Sequence, residues 1–96
     1  MKKVYVSIPI TGEDYNDQRN RAFTVGTRLT QKGYDVVTPF GVVRDVTTPY
    51  SEAMGECVAA LLECDAIYLC NGWQKSKGCN AELQVAIIYG KEVMTG

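Results

Sequence analysis

Residues Lys3–Thr38, KVYVSIPITGEDYNDQRNRAFTVGTRLTQKGYDVVT, hold one complete strand–helix–strand unit, and its reading decides the fold. Lys3–Ile8 (KVYVSI) is β-branched and aromatic with little polar alternation, the composition of a strand buried on both faces. Pro9 through Gly12 break it, and Glu13–Asn16 offer acidic and Asn side chains that can cap a helix start. From Tyr15 to Lys32 the positions Tyr15, Ala22, Phe23, Gly26 and Leu29 fall near helical spacing and are expected to face inward. Gly33 ends that helix as the residue just past its C-cap. Tyr34–Thr38 (YDVVT) is a second strand, stopped by Pro39.

The same alternation continues outward. Phe40–Pro49 reads as an irregular loop. A second long helix opens with Ser51 as N-cap and turns Met54, Val58 and Leu61 inward, ending near Cys64-Asp65. Ala66–Cys70 (AIYLC) is the third strand, Asn71–Gly78 (NGWQKSKG) a loop, and Cys79–Tyr89 a helix with Ala81, Val85, Ile88 and Tyr89 inward. Glu92–Met94 is a short last strand. The order β-α-β-α-β-α-β implies one domain over residues 1–96: an α/β, doubly wound, three-layer fold of the flavodoxin or Rossmann type around a four-stranded parallel sheet.

The 96 residues suffice for one domain, which buries roughly 60–65% of its unfolded surface, and 46% apolar content can fill that core without a metal or disulfides. Ten Lys+Arg against eleven Asp+Glu leave a net charge of −1, so neither a nucleic-acid backbone nor an anionic membrane is an expected partner. The chain has no histidine, which excludes Ser-His-Asp and Cys-His catalysis and any His-containing metal site. Cys57, Cys64, Cys70 and Cys79 lack Cys-x-x-Cys spacing; Cys57 and Cys64 stand roughly 10 Å apart along one helix, too far to bridge. They are read as reduced thiols, which implies a cytoplasmic protein. No signal peptide is expected, since Pro9, Thr11 and Gly12 interrupt the apolar start.

In open α/β sheets, ligands bind outside the carboxyl ends of the strands. The stretch there with most chemistry is Ser76-Lys77-Gly78-Cys79-Asn80-Ala81-Glu82-Leu83. A small, Gly-containing turn entering a helix presents backbone N–H groups to a phosphate or carboxylate. Ser76 adds a hydroxyl, and Gly78 permits close approach. Glu82 falls in the first turns of that helix, where the positive helix end favours its ionised form by roughly 0.3–1 kcal/mol. Two readings stand: a fixed nucleophile for a phosphorylated sugar, or a residue that merely complements the helix dipole.

The segments Val4–Gly12 (VYVSIPITG), Cys64–Leu69 (CDAIYL) and Ser76-x-Gly78-x-x-x-Glu82-Leu83-x-x-Ala86 resemble the nucleoside 2-deoxyribosyltransferase superfamily over nearly the whole chain. The similarity is greatest to its short 2′-deoxynucleoside 5′-monophosphate N-glycosidases and to their uncharacterised bacterial and phage branch. The resemblance implies that Glu82 attacks the anomeric carbon of a 2-deoxyribose and displaces the base, with water or a second base resolving the intermediate. It implies that Ser76 and Gly78 hold the 5′-phosphate and that Tyr5 orients the carboxylate. It also implies a homodimer or larger assembly, a nucleotide or nucleoside as small-molecule partner, and no metal or organic cofactor. Where transferases carry acids that protonate the leaving base, this chain has Cys57, beside Glu56, and Asn71. A nucleotide-binding module without catalysis, a nucleoside 2-deoxyribosyltransferase and a flavodoxin-like interaction domain therefore stay open as alternatives.

Further candidates lie on the same edge. Ser7, Thr11 and Gly12 could bind sugar or phosphate through hydroxyl and amide groups. Trp73 is either a stacking surface for a base or an anchor for its loop, and Asn71 is a candidate substrate contact. Arg19 and Arg21 read as phosphate ligands or solvated helix charges, as do Lys75 and Lys77 in their loop. Asp65, at the amino edge of its strand, is read as structural, and Asn80 as a surface residue.

Overall fold

A computed structural model describes residues 1–96. The elements are β1 (Lys3–Ser7), α1 (Tyr15–Gln31), β2 (Asp35–Val37), α2 (Pro39–Val42), α3 (Tyr50–Leu62), β3 (Ala66–Leu69), a 3-10 turn (Trp73–Lys75), α4 (Lys77–Ile88) and β4 (Glu92–Thr95). All strand pairs are parallel and the order is β2-β1-β3-β4. This is the expected doubly wound α/β sheet, with the reversal of direction between β1 and β3.

Strand geometry sends alternate side chains to opposite faces. Val4 and Val6 of β1 and Ala66 and Tyr68 of β3 therefore pack with Ala22 and Leu29 of α1. On the other face Tyr5, Ile67 and Leu69 pack with Cys57 and Leu61 of α3 and Ala86 of α4. The same alternation puts Ser7 beside Tyr5, facing α4, and this parity governs the site. At the amino edge Asp65 Oδ2 accepts from the Lys3 amide at 2.8 Å, so Asp65 is structural, as expected. All four cysteines are buried free thiols. No helix is long and apolar enough to cross a membrane.

Several local expectations are corrected. Phe23 is 75% exposed, while Gln18 takes an inward place on α1 because its amide donates to the Pro9 carbonyl at 2.6 Å. The segment after β2 is not wholly irregular: Thr38 caps the short α2 by accepting from the Gly41 amide. Asp45 then accepts from the Thr47 amide and hydroxyl, tightening the remainder. Helix α3 begins at Tyr50 after Pro49, without a side-chain cap from Ser51, and buries Cys57 and Leu61 rather than Met54 and Val58. Helix α4 turns Cys79, Glu82 and Ala86 inward; Ala81, Ile88 and Tyr89, expected inside, are exposed. The inward place that a hydrophobic pattern gives to an apolar residue is held by a carboxylate.

Candidate active site

Glu82 lies in the second turn of α4 and is 6% exposed. Tyr5 Oη donates to its Oε2 at 2.8 Å, and Ser7 Oγ donates to its Oε1 at 2.7 Å. Each carboxylate oxygen thus has one neutral donor from β1, and no cation pairs with it. Burial pushes the Glu82 pKa above the ordinary glutamate value, and the Ser7 and Tyr5 hydrogen bonds pull it partly back. The expected help from the helix end is small, because that field fades within the first turn. Burial, followed by the nearby Glu82 charge, pushes the Tyr5 hydroxyl far above an ordinary phenol, so it stays a donor.

Glu82 sits at the floor of a cavity of about 710 Å³ outside the carboxyl ends of the strands, at the reversal of strand order. One wall is the start of α4, with Ser76, Gly78 and Cys79. Ser76 caps that helix, its Oγ accepting from the Cys79 amide at 3.2 Å. The amides of Lys77 and Gly78, the first two of α4, find no acceptor in the chain and suit an anion. Lys75 and Lys77 stand beside them. Other lining is largely apolar, Ile8, Ile10, Val43 and Val46 with Tyr15 and Phe40, whose rings meet edge to face with centroids 5.2 Å apart; Asp45 and Thr48 are polar members of the same lining. Cys57 lines the floor beside Tyr5; burial raises its thiol pKa, the Tyr5 contact opposing. No three His, Cys, Asp or Glu side chains gather at metal-ligand spacing.

Of the residues expected at the site, the structure brings Glu82, Ser76, Gly78 and Thr11 to this cavity. Tyr5 and Ser7 are wholly buried behind Glu82. Ser7 was expected to touch sugar or phosphate; its hydroxyl is instead committed to the carboxylate. Gly12 is exposed in the loop after β1 and stands outside the cavity walls. Trp73 packs against the Tyr5 side of the core, which favours the anchor reading. Asn71 lines a different cavity, on the α1 side of the sheet. Arg21 is committed to the Asn71 carbonyl at 3.2 Å and to Gln18 Oε1 at 3.0 Å.

Three contributors escape sequence reasoning. Asn80 is no idle surface residue: its Nδ2 lies 2.8–3.2 Å from the carbonyl oxygens of Trp73, Gln74 and Ser76, clamping the turn onto α4. Its position four residues after the Ser76 cap is a usable signal. Phe40 joins Tyr15 only through tertiary packing, and no spacing foretells it. Tyr50, at the start of α3, brings its hydroxyl to 3.6 Å from where a Cβ on Gly78 would lie.

The fold is shared with three solved structures. A 2-deoxyribosyltransferase from Bacillus psychrosaccharolyticus superposes with TM-score 0.73 at 19% identity, over 97% of this chain and 70% of that one. A 2-deoxyribosyltransferase from Leishmania mexicana gives TM-score 0.76 at 18% identity, over 99% and 63%. The CMP N-glycosidase of Clostridium botulinum gives 0.68 at 19% identity, over 98% and 70%. The chain thus spans about two thirds of each protein's length. No curated protein matches the sequence. Residues 2–95 match the family described as "Domain of unknown function (DUF4406)", and the chain belongs to that family.

Proposed function

We propose that the protein cleaves the N-glycosidic bond of 2′-deoxynucleoside 5′-monophosphates. The observation that carries this is the Glu82 carboxylate, buried at the floor of an open cavity and held at both oxygens by Tyr5 and Ser7. In the proposed step a Glu82 oxygen bonds to C1′ of the deoxyribose and the base leaves with the C–N electron pair. The base takes its proton from solvent: Cys57 and Asn71 stand where acids are expected, Asn71 lies outside the cavity, and the Thr47 hydrogen bonds lower the pKa of Asp45, the cavity's other carboxylate. Water then adds at C1′ and frees the carboxylate. The unpaired amides at the start of α4 receive the phosphate, and the Tyr15–Phe40 wall receives the base. The deoxyribosyltransferase and N-glycosidase names of the structural neighbours agree with glycosyl transfer or cleavage.

Incubation with the four deoxynucleoside monophosphates, followed by chromatography of free bases, tests the reading. Release by the wild type, lowered by a factor on the order of 10⁴ in Glu82→Gln, is the expected result. A second reading, a nucleotide-binding module without turnover, is favoured by Cys57 and Asn71 at the two positions where an acid is expected. It predicts thermal stabilisation by a deoxynucleotide, about 2.7 kcal/mol at ~100 times its dissociation constant, with no base released.

A further inference from the structure

We propose a second ligand site, for a small phosphate-bearing anion, in the cavity between α1 and the carboxyl end of β3. This cavity, of about 420 Å³, lies across the sheet from Glu82 and takes its walls from Arg21, Arg28, Asn20, Asn71, Tyr68 and Cys70 among others. Arg21 and Arg28 are two turns apart on one face of α1, so both side chains reach the same trough. Both line the same cavity, with the buried Cys70 in its wall.

The site is unbalanced in charge. The chain's one ion pair joins Lys2 and Glu92, so neither arginine lies within 4 Å of a carboxylate. No Asp or Glu side chain lines the cavity; Gly96, the last residue of the sequence, stands in its wall against Tyr68. Arg21 spends two donors on neutral oxygens, and Arg28 has no hydrogen-bond partner in the chain. Guanidinium groups bind phosphate through paired N–H donors, and the amides of Asn20 and Asn71 add neutral donors at the rim. A concavity of this size that presents two arginines and no acidic side chain suits a phosphate ester or pyrophosphate group.

The test titrates inorganic pyrophosphate into the ¹⁵N-labelled full chain, with deoxynucleoside monophosphate saturating the first cavity of Glu82→Gln. The expected result is movement of the Arg28 Nε and the Asn20 and Asn71 side-chain amide resonances. Arg28→Gln is expected to weaken binding about tenfold, and base release by the Arg28→Gln variant of the active chain is expected to be unchanged. Shifts confined to the amides of residues 76–80 overturn the proposal, as does unaltered affinity in Arg28→Gln. A wild-type dimer that Arg28→Gln splits into monomers also overturns it, since a second chain would then fill the trough. Absence of base release leaves this result unaffected, so the two readings fail separately.

Discussion

At Glu82 burial opposes ionisation while two hydroxyl donors favour it, and burial prevails. The folded chain therefore holds this proton more tightly than the unfolded chain. The group's stabilising contribution is present below the ordinary value of 4.5 and is lost as pH rises through the folded value. Glu82→Gln should then raise the melting temperature at pH 7, by an amount corresponding to the order of 1 kcal/mol, with the gain shrinking in acid. Differential scanning calorimetry across pH checks it. Tyr5→Phe removes one donor, so the acid limb of kcat/KM should move upward by about one pH unit. Ser7→Ala should act in the same direction. A Tyr5 that only filled space would leave that limb in place. The donors' convergence follows from strand parity: the resemblance implies Tyr5's part, whereas Ser7, at the strand's end, reads as a contact for sugar or phosphate.

Helix α4 depends on its entry. Ser76 satisfies the Cys79 amide and Asn80 clamps the turn before it, which leaves the amides of Lys77 and Gly78 without an acceptor in the chain, on residues that line the cavity. Ser76→Ala should cost about 1 kcal/mol in urea unfolding. Asn80→Ala should raise KM for a monophosphate more than it lowers kcat, because the chemistry at Glu82 is a turn away. Gly78→Ala puts a methyl 3.6 Å from the Tyr50 hydroxyl and 3.9 Å from Met54 Sδ, ordinary contact distances. Any loss of nucleotide affinity there would report ligand approach to the glycine, not misfolding. Strands and long helices are legible in the sequence because their composition and breakers agree. Which face of α4 turns inward is not, because periodicity counts apolar residues and this face is anchored by a carboxylate. The aromatic wall is equally hidden, since Tyr15 and Phe40 lie far apart in the chain.

For the whole molecule, the strand order decides where chemistry can sit. Loops after β1 and β3 diverge at the reversal and leave the cavity between them, which α/β alternation alone foretells. Leu61, wholly buried between α3 and the sheet, supports the same face as Tyr5. Leu61→Ala should cost about 2–5 kcal/mol and lower the melting temperature without changing the pH dependence of any activity.

The sheet also has two borders. β4 ends it, and Glu92 and Val93 on that strand are exposed, so a row of backbone amides and carbonyls there has no strand beyond it. Such a rim invites another chain to add itself, and charge is the usual deterrent. Lys2 and Glu92, paired at 2.7 Å, supply it. Replacing Glu92 with valine should therefore leave the fold intact yet increase light scattering by concentrated solutions on standing. The least conspicuous strand would then govern how long the protein keeps in the tube.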